Sequence, residues 1–201
     1  LPEPGGQSKA IAQRLAGYRA RRGFMKDFDE VVAFLVASSS ANQFEQALMD
    51  LGNMLGFTSQ RPENTGEPGS DVLWLLPGKI GVIIEAKSRK KSQNPPKKEE
   101  HGQILVSEGW FKGAYPDFQS VRVSVHPTAS ATKASVPIGL KALTYERLQL
   151  MVDDARALLA GICESQVAVD QLPAVIDKAL MPSNLRADRV STAYFVEFQV
   201  K

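Results

Sequence analysis

Two apolar runs separated by a short turn constrain the fold of this chain more than any other feature. Residues 72–76 and 80–84 are rich in β-branched and aromatic side chains, which favour β-strands. Residues 77–79 read Pro-Gly-Lys, and proline followed by glycine is typical of a turn. The pattern therefore predicts a β-hairpin in which Leu76 lies opposite Ile80.

The predicted register brings acidic side chains together at the open end of this hairpin. Counting outward from the turn places Asp71 opposite Glu85. Directly opposed side chains have Cβ atoms roughly 4.5 to 5.5 Å apart, and two carboxylates that close repel each other unless a cation lies between them. A divalent metal ion is the natural cation. Because side chains alternate along a strand, Lys87 falls on the same face as Glu85.

The other face of the hairpin is wholly apolar. Its members are Val72, Trp74, Leu76, Val82 and Ile84. A strand face without polar groups is normally buried against other elements of the fold. We therefore expect these side chains in the core, including the Trp74 indole.

Helical periodicity predicts one helix before the hairpin and one after it. Apolar residues recur at helical spacing over residues 42–56, and the helix is predicted to end at Gly56. Glu45 neighbours the apolar stripe of this helix. Residues 99–111 form the second predicted helix, and a strand is predicted over 121–126. One face of the second helix carries Gln103, Ser107 and Trp110.

Asp71, followed by Glu85-x-Lys87 at the end of the next strand, resembles the motif of the PD-(D/E)XK superfamily of nucleases, also called restriction-endonuclease-like. Ser70 stands where the name of the family has proline. The order of predicted elements over residues 40–127 also looks like the core of that superfamily. The resemblance implies an α/β fold with an αβββαβ core, a central mixed sheet flanked by helices, and extra helices at both ends.

The resemblance also implies a function and a site. The function is a metal-dependent nuclease that hydrolyses phosphodiester bonds of DNA, as an endonuclease domain of a larger protein associated with a helicase or with phage defence. The implied cofactor is Mg²⁺, for which Mn²⁺ substitutes. The implied metal ligands are Asp71, Glu85, Glu45 and the backbone carbonyl of Ala86, and the implied catalytic residues are Asp71, Glu85, Lys87, Glu45 and Gln103. For Glu45, a solvated helix glutamate is the alternative.

Basic residues follow the second strand of the hairpin closely. They are Arg89, Lys90, Lys91, Lys97 and Lys98. A cationic loop at this place could hold phosphates beside the metal, and such contacts give affinity without sequence specificity. A loop that only aids solubility is the alternative. Trp110 could stack on a base or belong to the core.

Composition favours one α/β domain with appended helices. The chain has 201 residues, of which 43% are hydrophobic, so it can bury one sizeable core. We expect an N-terminal basic helical segment over 1–40, a nuclease core over 41–130 and a helical extension packed on that core over 131–201. In the extension, helices are predicted over 144–159, with Thr144 as N-cap, and over 172–180. Residues 192–200 fit either a strand or a helix.

Cysteine content and hydropathy suggest where the protein works. A single cysteine, Cys163, excludes an internal disulfide and suits a reducing cytoplasm. No signal peptide or membrane span is expected. The chain begins with leucine, and we expect it to be a domain of a longer protein. Cutting both strands of a duplex generally needs two sites, so a homodimer is a further expectation.

Two other classes of function fit the same residues. One is a nucleic-acid-binding module that has the same fold but does not cut, serving as a targeting domain of a helicase or translocase. The other is a structural interaction domain in which Lys87 forms an ordinary surface salt bridge with Glu85 or Asp71, which contributes only about 0 to 1 kcal/mol. The choices between DNA and RNA, and between endonuclease and exonuclease, stay open.

Overall fold

The chain forms a mixed β-sheet with helices on both faces. The computed structural model describes residues 6–86, 98–131 and 136–200. The helices are α1 (Gln7–Ala16), α2 (Arg21–Val32), α3 (Ala41–Met54), α4 (Lys98–Ala114), α5 (Tyr145–Glu164), α6 (Leu172–Leu180) and α7 (Val190–Tyr194). The strands are β1 (Thr58–Gln60), β2 (Val72–Leu76), β3 (Ile80–Glu85), β4 (Gln119–His126), β5 (Ser130–Ala131), β6 (Lys141–Thr144), β7 (Val196–Glu197) and β8 (Gln199–Val200).

The predicted hairpin is confirmed with its register. Strands β2 and β3 are antiparallel, and Leu76 pairs with Ile80 next to the turn. Farther out, Val72 pairs with Ile84. Gly78 in the turn has a φ of +86°, a conformation that glycine adopts without steric cost. The turn and the apolar runs therefore set the pairing as the sequence predicts.

Among the described residues, six strands form the central sheet in the order β1-β2-β3-β4-β6-β7. Strands β3, β4 and β6 are parallel to one another, whereas β1, β2 and β7 pair in the antiparallel sense. Helix α4 connects the parallel strands β3 and β4. The start of β2 and the ends of β3 and β4 consequently lie at one edge of the sheet. The predicted α/β class with a central mixed sheet flanked by helices is thus confirmed.

The larger core lies between one face of the sheet and the helices α1, α2, α3, α5 and α6. All five apolar residues predicted for this face of the hairpin are fully buried: Val72, Trp74, Leu76, Val82 and Ile84. The Trp74 indole Nε1 donates a hydrogen bond to the Leu48 carbonyl, at 3.0 Å. Gly52 permits this packing, because a Cβ there would lie 2.4 Å from Trp74 Nε1. Trp74 is therefore a core residue, as predicted.

Helix α4 covers the opposite face of the sheet. The residues of this second core include Leu73, Leu75, Ile83, Ile104, Phe111 and Tyr115. The Phe111 ring lies directly over Gly81, where a Cβ would come within 2.1 Å of the ring. Asp71 and Glu85 share strand parity with Leu73 and Ile83, so they belong to the face that α4 covers.

The C-terminal part of the chain adds both helices and strands. The predicted helices after Thr144 and over 172–180 are present, and the Thr144 side chain accepts a hydrogen bond from the Arg147 N–H. Residues 190–200 form a short helix followed by two short strands. Strand β6 extends the central sheet from a part of the chain that was predicted as a helical extension, and β7 lies in the segment 192–200 that fitted either a strand or a helix.

The N-terminal helix joins the two ends of the described chain. The Gln7 side-chain amide donates hydrogen bonds to the Leu55 and Leu185 carbonyls, both at 2.9 Å, and its oxygen accepts from the Ala187 N–H. Helix α1 also packs on α6. Within the described residues, no helix is long and apolar enough to span a membrane.

Candidate active site

The Asp71 carboxylate is bonded to the neighbouring strand at the open end of the hairpin. Asp71 directly precedes β2 and is 6% exposed, and its Oδ2 accepts a hydrogen bond of 2.8 Å from the Ala86 backbone N–H. Ala86 follows Glu85, the last residue of β3, which is also 6% exposed. Two buried carboxylates are therefore held at adjacent strand ends on the edge of the sheet.

The Glu85 carboxylate is held from the side of α4. The Ser107 hydroxyl lies 2.9 Å from Glu85 Oε1 and 3.0 Å from the Gln103 carbonyl oxygen. The hydroxyl has one proton to donate. The charged Glu85 carboxylate is a stronger acceptor for it than the Gln103 carbonyl. Ser107 is only 3% exposed, so this contact is shielded from water. Ser107 was predicted to share a helical face with Gln103 but was given no role, and that shared face is the signal that could have identified it.

Glu45 and Asp71 line the same small cavity. The cavity has a volume of about 190 Å³, and its other lining residues are Arg61, Glu63 and Asn64. Glu45 projects from α3, whereas Asp71 comes from the hairpin. The structure thus brings Glu45 close to the predicted site, although it sits on a different element.

Arg61 is the one basic residue among the described residues that line this cavity. Its Nη2 lies 2.5 Å from Glu45 Oε2, and its Nη1 donates to the side-chain oxygens of Asn42 at 2.9 Å and Gln46 at 3.4 Å. Its Nε–H is buried and makes no hydrogen bond to the described residues. Arg61 was not among the predicted site residues, because its pairing depends on the tertiary contact between the end of β1 and α3.

Gln103 and Trp110 lie on the same helix as Ser107, α4. The Gln103 side chain is exposed one turn before Ser107, and only its backbone oxygen contacts the Ser107 hydroxyl. Trp110 is half-buried, and its Nε1 donates to Glu67 Oε2 at 3.1 Å. Its ring also lies against Gly69. Trp110 therefore anchors the loop before β2, and a role of either residue in the chemistry stays a prediction.

Several predicted site residues lie outside the described part of the chain. They are Lys87, Arg89, Lys90, Lys91 and Lys97. Lys98 begins α4, but the position of its side chain is likewise outside the description. Their predicted contacts with the carboxylates and with phosphates stay predictions.

Two other side chains of reactive types, His126 and Cys163, lie in surroundings that are typical of structural roles. His126 is buried at the end of β4, and its Nδ1 lies 3.2 Å from the Thr128 N and 2.7 Å from the Thr128 O. Cys163 is partly buried on α5, and burial raises the pKa of its thiol. A thiol with a raised pKa is a poor nucleophile at neutral pH.

The donor chemistry at the sheet edge suits a hard divalent cation. Carboxylate and carbonyl oxygens are the ligands that Mg²⁺ prefers. The Ala86 N–H bonds one oxygen of Asp71, and the Ser107 hydroxyl bonds one oxygen of Glu85. Among the residues that the structure describes, no group of three or more acidic, histidine or cysteine side chains could hold a metal ion. A cation here would thus rely on two carboxylates and a backbone carbonyl.

Comparison of the chain with family models, with curated proteins and with solved structures finds no match. The function is therefore inferred from the residues and their geometry.

Proposed function

We propose that the chain is a metal-dependent nuclease that hydrolyses phosphodiester bonds of DNA. The observation that carries the proposal is the pair of buried carboxylates, Asp71 and Glu85, at adjacent strand ends. Burying charged groups costs free energy, and an acidic pair kept out of water fits a site that receives a cation. Phosphodiester hydrolysis is the reaction for which such a pair next to a lysine at position 87 is suited.

The order of elements supports the same proposal. Along the chain, α3 is followed by β1, β2, β3, α4 and β4. This order is the αβββαβ order that the resemblance to the PD-(D/E)XK superfamily implies. The carboxylates stand at the start of β2 and the end of β3, the two positions at which that resemblance places the acidic residues of the motif.

Residues at the sheet edge and in the segment after β3 would have different parts in the proposed reaction. Asp71, Glu85 and the Ala86 carbonyl would hold Mg²⁺ or Mn²⁺. When bound, the cation supplies activation of water and neutralisation of the charge that develops on the phosphoryl oxygens. The Ala86 N–H and the Ser107 hydroxyl orient the two carboxylates. Lys87 would bind the phosphate undergoing hydrolysis, and the basic residues after it would hold the neighbouring phosphates.

Cleavage assays with matched variants test the proposal. Supercoiled plasmid, labelled single-stranded DNA and labelled RNA would be incubated with Mg²⁺, Mn²⁺ or EDTA. We expect Asp71→Asn and Glu85→Gln to lower the cleavage rate by about a hundredfold or more, because each removes one charged ligand of the metal ion. The control is Asp117→Asn, which removes an exposed carboxylate that pairs with Lys79 at the opposite edge of the sheet.

The pattern of products decides between the related functions. Metal-dependent cutting of DNA that both site variants lose and the control keeps would support the nuclease. Cutting that Asp71→Asn and Glu85→Gln retain would contradict the proposed site. Salt-sensitive binding of DNA without any cutting would instead favour the module that binds nucleic acid and does not cleave it.

A further inference from the structure

Glu45 already has a cationic partner inside the protein. The Arg61 side chain is 9% exposed and the Glu45 side chain 17%, and their charged ends lie 2.5 Å apart. At this distance the two opposite charges largely cancel in their effect on other groups. Because the pair is mostly buried, water weakens the attraction between them only slightly. The pair therefore acts on its surroundings as a nearly neutral unit.

Arg61 is held firmly in this place. The three acceptors that it bonds lie on one face of α3, at positions 42, 45 and 46. A planar guanidinium with several fixed donors suits such a set, whereas an ammonium group does not match it. Removing the arginine would leave Glu45 as a partly buried carboxylate without its partner, and this favours the paired state.

Because the pair of Glu45 and Arg61 is nearly neutral, it adds little negative potential to the cavity that it shares with Asp71. A cation that approaches is attracted by Asp71 and Glu85, but it would have to displace Arg61 to use Glu45 as a ligand. We infer that Arg61 is the resident counter-cation of Glu45, so that a divalent cation is held at Asp71 and Glu85 without Glu45. This inference rests on the proposed function, and it departs from the ligand set that the resemblance implies.

Calorimetric titration with Mn²⁺ alone tests the inference without any measurement of activity. The proteins are the wild type, Arg61→Met, the double variant Glu45→Gln with Arg61→Met, and Asp71→Asn. The control for a change of one unit in net charge is Arg186→Met, because Arg186 pairs with Asp188 on the surface, away from the carboxylates. Circular dichroism would verify that each variant is folded.

The expected affinities follow from the charges. Arg61→Met releases the Glu45 carboxylate and should tighten Mn²⁺ binding by about threefold to tenfold, whereas Arg186→Met should change it less than about twofold. The double variant replaces a neutral pair with two neutral side chains, so its affinity should stay within about twofold of the wild type. A loss of about tenfold or more in the double variant, or an unchanged affinity in Arg61→Met, would overturn the inference.

A second measurement decides the matter if the Arg61 variants do not fold. Anomalous scattering from crystals of the wild-type protein with Mn²⁺ would locate the ion directly. An ion at Asp71 and Glu85 with the Arg61 and Glu45 pair intact supports the inference, whereas an ion on Glu45 overturns it. If the wild type binds no Mn²⁺, or if Asp71→Asn binds it equally well, the proposed metal site itself fails and the inference falls with it.

Discussion

A buried hydroxyl helps to orient one carboxylate at the sheet edge. Ser107 reaches Glu85 from α4 across the second core. Rotation of the Glu85 side chain would leave the hydroxyl facing only the carbonyl of its own helix, a weaker acceptor than the carboxylate. At the scale of the residue, the site therefore depends on a serine that itself supplies no ligand.

We predict that Ser107→Ala destabilises the protein and loosens the site. A hydrogen bond to a charged group contributes about 1.5 to 3 kcal/mol, so the free energy of unfolding in urea should fall by about that amount. The affinity for Mn²⁺ should fall as well, because Glu85 loses one of the contacts that orient its carboxylate. The matched control is Ser191→Ala, which removes a buried hydroxyl without a hydrogen-bond partner in the described chain and should be neutral or slightly stabilising. Equal losses in both variants would contradict the assigned role.

At the scale of the element, helix α3 and strand β2 are closely packed against each other. Gly52 lies under the Trp74 indole, and the hydrogen bond from Trp74 to the Leu48 carbonyl joins the same two elements. This contact sets the distance between α3 and the hairpin. It consequently also places Glu45 relative to Asp71.

Two helical glycines offer a comparison that separates packing from helix propensity. Gly161→Ala adds a methyl group on α5 with nothing within 4 Å, so we expect a gain of about 0.5 to 1 kcal/mol from propensity alone. Gly52→Ala would place its Cβ 2.4 Å from Trp74 Nε1, and we expect a loss of about 1 to 3 kcal/mol despite the same gain in propensity. Urea unfolding of both variants measures the difference. A stable Gly52→Ala protein would mean that α3 can move away from the sheet.

Elements differed in how well the sequence predicted them, and the reason is physical. The hairpin and α3 were predicted because long apolar patterns and local turn or capping residues agree with each other. Strand β1 has three residues and β7 has two, and such short strands form only because a neighbouring strand supplies the hydrogen bonds. Arg61 was missed for a related reason, since its partners on α3 are close only in the folded chain.

At the scale of the whole molecule, buried hydrogen bonds join α1 and α5 to the C-terminal segment of the described chain. Gln7 bonds backbone groups at Leu55, Leu185 and Ala187. Tyr194 on α7 is fully buried, and its hydroxyl donates to Asp154 on α5 at 2.6 Å. Buried polar groups with complete hydrogen bonds fix one arrangement of these elements. The same groups make stability depend on pH.

The buried tyrosines predict a loss of stability at alkaline pH. Burial and the neighbouring Asp154 carboxylate raise the pKa of Tyr194 well above the ordinary value for tyrosine, which is about 10. Burial is also the largest cause of the raised pKa of Tyr18 and of Tyr115. A raised pKa means that the folded protein keeps its phenol protons at a pH where the unfolded chain has lost them. The stabilisation is therefore complete below about pH 10 and declines as the pH rises through the folded values.

Urea unfolding at a series of pH values from about 8 to 11 would measure this decline. The wild type should keep a constant contribution from Tyr194 below about pH 10 and lose it above. Tyr194→Phe should be less stable near neutral pH by about 1 kcal/mol, because Asp154 loses its hydrogen bond, but its stability should fall less steeply at high pH. Parallel curves for the two proteins across the alkaline range would show that Tyr194 does not hold its proton more tightly in the folded state.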